Sequence, residues 1–149
     1  MTIPQFGSPW PGRDHKPRPG AYGVVLDSGG RLLVVEEFAR LYLPGGGLDP
    51  GETPEQALHR EFEEETGYTV TIDSVIGEAR EYVADETPGV AAAFNKYCYL
   101  YVVRLTGGTG VPTIDSNKPS WVAVAQALPM LSNEAHRWAV RQVLQRAKR

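Results

Sequence analysis

The sequence predicts an α/β fold, an α/β/α sandwich around a mixed β-sheet. Two observations point there. Runs rich in β-branched and aromatic residues recur along the chain, bounded by Gly, Pro, Asn and Asp. Two segments with helical spacing, residues 54–66 and 134–148, interrupt them. The size agrees, because 149 residues with 42% hydrophobic and 22% charged content suit one domain with a real core.

Residues 1–19 hold Pro4, Pro9, Pro11, Pro17 and Pro19, and read as an extended arm that could supply one edge strand. A single domain is expected over 20–149. Arg13, His15, Lys16 and Arg18 make the arm basic. It is either a solvated tail or a strap that touches substrate phosphates or a partner subunit. Residues 21–26 (AYGVVL) form a strand, 27–30 (DSGG) a turn, and 31–38 the return strand of a hairpin with Leu32 to Val35 buried. Glu36 and Glu37 face solvent or anchor Arg40. Leu41, Tyr42 and Leu43 lead into glycines, and residues 43–47 and 50–51 are expected to be irregular backbone.

A helix follows over 54–66. Thr53 is a good N-cap, and Gln56 three residues on completes a capping box. Pro54 suits the first helical position, Glu55 complements the helix dipole, and Gly67 suits a left-handed C-terminal cap. Beyond it, residues 69–76 and 78–83 are strand with a bend at Gly77, 84–93 a mobile loop, and 95–105 a long strand that can pair back as a hairpin. Its alternation sets Tyr97, Tyr99 and Tyr101 on one face and Cys98, Leu100 and Val102 on the other. A tyrosine there, such as Tyr99, either stacks on a base or packs on the sheet. Residues 106–119 are loop, 121–124 a strand, and 125–131 a short helix. Ser132 or Asn133 caps the last helix, 134–148, which turns Ala135, Trp138, Ala139, Val143 and Leu144 inward. His136 reads as a helix-surface or core-edge histidine.

The chemistry concentrates in the 23 residues 46–68, GGLDPGETPEQALHREFEEETGY. At about 100° per residue, Glu61, Glu64 and Glu65 share an arc of roughly 100°. Ala57 lies inside that arc and leaves room beside it. Leu58 and Phe62 form an adjoining core stripe, Glu63 points to water, and Glu52 can reach back from the loop. Glu61 and Glu65 repel at i, i+4. Either the face is solvated, or it binds a cation. Oxygen ligands suit Mg²⁺, Mn²⁺ or Ca²⁺, and no Cys or His is placed to favour zinc.

This stretch resembles the signature box of the Nudix hydrolases, G-x5-E-x7-R-E-U-x-E-E-x-G-U, with U a bulky apolar residue. Gly46, Glu52, Arg60, Glu61, Glu64, Glu65 and Gly67 fill every fixed position, and Phe62 and Tyr68 fill the U positions with larger side chains than usual. The resemblance implies the α/β/α sandwich and a Mg²⁺ or Mn²⁺ cofactor. It implies that Glu61 and Glu65 are the main metal ligands with Glu64 in the same site. Glu52 would orient them or hold a second metal, and a carbonyl of Gly45 or Gly46 would add an oxygen. Arg60 would hold the carboxylate rotamers. The implied reaction is hydrolysis of a nucleoside diphosphate linked to some group X, by in-line attack of metal-activated water on one phosphorus. Glu61 or a downstream loop acid would take the proton. Asp115 is the best-placed loop acid and Glu86 the second. Tyr42 stands where the family has an aromatic before its L-P-G-G step. The implied substrate is a small nucleotide, such as an oxidised nucleoside triphosphate or a dinucleoside polyphosphate. A homodimer is common in the family. The reading of another class is a domain that binds a nucleotide or partner without turnover; such domains commonly lose box glutamates, which are all present here.

Charge and cysteine usage bound the rest. The formal net charge is −3, but residues 46–68 hold seven acids and one arginine. The bare box would repel an anionic substrate, so metal and basic residues elsewhere must help hold phosphates. No long basic stripe suggests a nucleic-acid polymer. Cys98 is the single cysteine, so no internal disulfide forms, and its strand setting reads as a core thiol. No apolar run approaches about 18 residues and no signal peptide is evident, so a cytoplasmic protein is expected.

Overall fold

The computed structural model describes residues 2–85 and 92–148. In chain order its elements are β1 (Gln5–Phe6), β2 (Lys16–Val24), β3 (Arg31–Glu37), β4 (Arg40–Tyr42), β5 (Gly45–Gly47), α1 (Pro54–Thr66), β6 (Tyr68–Asp85), β7 (Ala92–Gly108), β8 (Lys118–Ala123), α2 (Val124–Met130) and α3 (Glu134–Ala147). One sheet has the order β1-β6-β7-β2-β5 and a second the order β4-β3-β8. The first is mixed: β1 and β2 lie parallel to β6 and β7, while β6–β7 and β2–β5 are antiparallel.

The layers follow from side-chain alternation. On one face Ala57, Leu58 and Phe62 of α1 pack with Ala21, Tyr101 and Val103. On the other, Ala135, Ala139 and Val140 of α3 pack with Val24, Ala79 and Leu100. β3 divides likewise, sending Leu32 and Val34 to the α3 side and Leu33 to the α1 side. This is the α/β/α sandwich. Ala57 is fully buried in that core, so it leaves no room on the acidic arc.

α1 starts and stops where its residues dictate. The Thr53 hydroxyl accepts from the Gln56 N–H, the Gln56 side chain accepts from the Thr53 N–H, and Gly67 closes the helix at φ 74°. Elsewhere tertiary contacts override local signals. β2 crosses the expected boundary at residue 19. Pro17 and Pro19 stay in a strand because their side of it is open: the Pro19 carbonyl accepts from Leu48 N–H, away from β7, and pairing with β5 starts only at Gly20. The expected 21–38 hairpin is only a bridge between Leu26 and Leu32; β2 is flanked by β7 and β5, so β3 enters the other sheet. The glycines expected to be irregular make β5, and residues 38–42 turn back as β4. β6 is one strand, whose bend is a bulge between Val75 and Gly77. Glu86 and the centre of the loop expected at 84–93 lie outside the described residues.

The cap of α3 is also tertiary. Asn133 occupies the N-cap position, but its side chain makes no capping bond. Glu81 of β6 supplies the acceptor, taking the Ala135 N–H at 2.8 Å. Glu81→Ala is therefore expected to cost about 1–3 kcal/mol in urea unfolding, by leaving a buried N–H unpaired. Asn133→Ala should cost less, because it gives up a long 3.5 Å amide bond to Glu81, and among the described residues its Oδ1 has no partner to lose. The opposite order would restore Asn133 as the cap.

Candidate metal and active site

The site forms where α1 faces the glycine strand β5. The Gly45 N–H donates to Glu65 Oε1 at 2.9 Å, and a Cβ on Gly45 would stand 2.1 Å from the Ala21 carbonyl oxygen. A Cβ on Gly46 would stand 2.6 Å from the carboxyl carbon of Glu61. Bare backbone is thus what lets β5 lie between β2 and the two carboxylates. Of the two glycines, Gly45 is the one whose backbone meets a box carboxylate. The Gly46 carbonyl oxygen lies toward β2, 3.0 Å from where a Gly20 Cβ would be.

Arg60 stands among the other acids. It donates to both oxygens of Glu52, at 2.7 and 2.8 Å, to Glu61 at 2.9 Å, to Glu64 at 3.3 Å and to the Gly47 carbonyl at 3.0 Å. The fork on Glu52 is bidentate, the strong geometry for this pair. It holds the Glu52 carboxyl down to about 2, with the Asp49 N–H assisting. Glu61 is pushed up by burial, which Arg60 only partly offsets. Glu65 is pushed up to about 8, first by burial and then by Glu61, Glu37 and Glu64, against the single Gly45 N–H. The arc read from helical spacing is real, but its members differ: Glu65 is buried, Glu61 and Glu64 half-buried.

The donors fit a hard divalent cation. They are all oxygens, Glu61 lies in a cradle that a side chain would fill, and Glu65 is desolvated with one N–H as its only hydrogen bond among the described residues. Among the described residues no three carboxylates are already gathered as a cation cluster, because Arg60 holds Glu52, Glu61 and Glu64 to itself.

The remaining sequence candidates scatter. Tyr42 ends β4, beside Gly45 in the chain, and lines a pocket of about 680 Å³ with Arg18, Arg40 and Lys96. Tyr99 packs against the α1 side of the core, away from that pocket. Asp115 is exposed in a loop whose Thr113 and Ile114 N–H groups reach the Glu64 carbonyl. His136, read as an edge residue, is fully buried, and its Nδ1 accepts from the Leu43 N–H at 3.2 Å. Burial holds it neutral, far below the ordinary histidine range. It ties α3 to the segment that becomes β5. Glu37, which acts on Glu65, carried no sequence signal, since only β3 and α1 packing together brings the two near.

A family profile described as NUDIX domain matches residues 16–146. The chain belongs to the Nudix family. Among curated relatives, a putative 8-oxo-dGTP diphosphatase of Bacillus subtilis (strain 168) is 42% identical over 60 residues, covering 39% of this chain and 40% of that protein. A MutT-like protein of Streptomyces ambofaciens is 32% identical over 102 residues, covering 67% of this chain and 60% of that protein. The chain thus spans less than two thirds of the length of these relatives. A MutT protein from Methanosarcina mazei Go1 shares the fold, with a TM-score of 0.70 at 18% identity over 92% of this chain and 99% of that one. A Nudix hydrolase from Nitrosomonas europaea gives 0.67 at 19%, over 87% and 90%.

Two outcomes are expected from this geometry. The three atoms nearest a Cβ at Gly46 all belong to the movable end of Glu61, so Gly46→Ala should fold but displace that carboxylate. Calorimetry should then show Mn²⁺ affinity reduced about tenfold or more, with the melting temperature little changed; unaltered affinity would dismiss the cradle. The second concerns pH. A carboxyl whose folded pKa lies above its unfolded value stabilises fully below the unfolded pKa, and that stability is lost as pH rises. For Glu65 the window runs from near 4.5 to about 8. Metal-free protein should lose a few kcal/mol of urea-unfolding stability across it. Glu65→Gln should show a flatter profile.

Proposed function

We propose that this Nudix protein hydrolyses the pyrophosphate bond of a nucleoside diphosphate linked to another group, with Mg²⁺ or Mn²⁺ as cofactor. The observation that carries the reading is the pair Glu61 and Glu65 set against a bare glycine strand, with Glu65 almost without hydrogen bonds in a buried site. Glu61 and Glu65 would hold the cation, joined by Glu64 and Glu52. A bound cation supplies countercharge for the diphosphate oxygens and acidifies water at neutral pH.

The chain's own residues supply the rest. Arg60 fixes the rotamers of Glu52, Glu61 and Glu64 from one guanidinium. Glu61, half-buried and raised in pKa, is suited to take a proton from the attacking water. That water attacks one phosphorus in line, the bond to the bridging oxygen breaks, and the two products leave with one phosphate each at the cleaved ends. Asp115 is the second proton acceptor to consider, through the loop seated on the Glu64 carbonyl. Tyr42 would contact the substrate from the pocket it lines with Arg18, Arg40 and Lys96, and Tyr99, half-buried on the α1 side, would stack on a base or pack on the sheet. Within the small nucleotides, an oxidised nucleoside triphosphate is favoured by the names of relatives, which include an 8-oxo-dGTP diphosphatase of Haemophilus influenzae, 45% identical over 53 residues. A dinucleoside polyphosphate is the second choice.

The test is a substrate panel with Mg²⁺ or Mn²⁺ on wild type and Glu65→Gln. It should include nucleoside triphosphates, oxidised nucleotides, dinucleoside polyphosphates, nucleotide sugars and ADP-ribose. Metal-dependent cleavage of one class is expected, with kcat lower by about 100-fold or more in the variant. Saturable ligand binding with no release of phosphate or pyrophosphate would make the protein a binding module.

A further inference from the structure

Tyr22, which pairs with Gly45 of the carboxylate site, also meets Lys96 of a pocket of opposite charge. The pocket is an open cavity of about 680 Å³, lined by Arg18 of β2, Phe38 and Arg40 at the β3–β4 turn, Tyr42, and Glu81, Phe94 and Lys96 of β6 and β7. Three cations face one carboxylate. That carboxylate is already engaged, with the Ala135 N–H on one oxygen and the Asn133 amide on the other. The two arginines are not. The Arg18 Cζ lies over the Phe94 ring, 4.1 Å from its centroid, and Arg18 makes no hydrogen bond or ion pair with any described residue. Arg40 is exposed and likewise pairs with none. Lys96 Nζ stands 5.0 Å from the centre of the Tyr22 ring.

Two features tie this pocket to the carboxylate site. Tyr22 links them: its ring would touch a Cβ on Gly45, and Lys96 lies over the same ring. The turn that carries Phe38 and Arg40 follows directly on Glu37, whose charge is felt at Glu65. That turn is the two-residue loop between the paired Glu37 and Arg40, a hairpin geometry that needs positive φ at both central residues. Phe38 and Ala39 both adopt left-handed backbone, at φ 52° and 60°, a conformation that favours glycine and costs other residues about 1–2 kcal/mol each. Phe38, at the tip of that hairpin, is 84% exposed.

We propose that Arg18, Arg40 and Lys96 form a phosphate subsite that selects substrates carrying a phosphate beyond the bond cleaved. This rests on the hydrolase reading only for the identity of the cleaved bond. A guanidinium stacked on an aromatic face keeps its in-plane N–H edge free, and that edge matches two phosphate oxygens. Phe38 and Tyr42 offer apolar rings at the same mouth. The subsite takes a nucleoside triphosphate or dinucleoside polyphosphate in preference to a nucleotide sugar, whose distal group is neutral.

Inorganic tripolyphosphate in metal-free buffer probes the subsite without chemistry. Calorimetry would compare wild type, Arg18→Gln, Arg40→Gln, the double variant and, as a distant control, Arg141→Gln on the exposed side of α3. Wild type should bind, each single change should weaken binding about tenfold, and the control should match wild type. The salt dependence of the affinity should also become shallower in the double variant. With metal present, the ratio of kcat/KM for triphosphates to that for nucleotide sugars should fall about tenfold or more in the double variant. Equal tripolyphosphate affinity in wild type and the double variant would overturn the subsite, as would equal losses for both substrate classes. If wild type cleaves nothing while tripolyphosphate binding still depends on Arg18 and Arg40, the subsite stands and the hydrolase reading falls. If wild type turns over substrate while binding is indifferent to both arginines, the hydrolase reading stands and the subsite falls.

Discussion

The structure depends on holding four carboxylates together with one guanidinium. Glu52, Glu61, Glu64 and Glu65 converge from a loop and barely more than one turn of α1, and Arg60 serves the first three. Glu65 is left with a backbone N–H. Like charges at this spacing repel, and a buried carboxylate loses its hydration. The chain meets both costs without an added counterion by keeping Glu65 protonated up to about 8 and drawing Glu52 onto Arg60. A divalent cation would change the balance by giving Glu65 the charge partner it lacks. Stability of the core and readiness of the site are therefore opposed at the same residues.

The rest of the fold keeps this tension in place. β5 can lie against β2 and still admit two carboxylates because it is made of glycine. It is fixed from behind by the Pro44 carbonyl, which accepts from Gly23 N–H, and by His136 on the Leu43 N–H. α1 is fixed at both ends, by the Thr53–Gln56 box and by Gly67, whose carbonyl accepts from the Thr109 N–H of the loop after β7. A site of this kind requires a stiff frame, because ligand carboxylates that can relax apart bind a cation less well. The basic pocket shares this frame through Tyr22, whose ring meets Lys96 and lies against Gly45.

Legibility in the sequence follows the range of the forces involved. α1 is readable to the residue because caps, Pro54 and Gly67 act within four positions of the helix ends they fix. The β6–β7 hairpin is readable because alternation persists over many residues. The 21–38 hairpin is not. A strand pair and a mere bridge look alike along the chain, and competition from β5 and β7 for the edges of β2 decides the outcome. Asn133 has the residue type of a cap, yet Glu81, more than fifty residues away, arrives with the better acceptor. The prolines of β2 argue for an arm because nothing local says which edge of a strand will be left open.

Spacing along the chain is enough for the layered α/β class, the span of α1, the acidic arc and the Nudix family, since a helix or strand converts spacing directly into direction. Tertiary structure alone decided which acid is buried, that Gly46 cradles Glu61, that Glu37 bears on Glu65, and that His136 is a buried tie. It alone gathered Arg18, Arg40 and Lys96 around one cavity. Burial and the meeting of residues from separate strands are properties of packed layers, and no window of local sequence carries them.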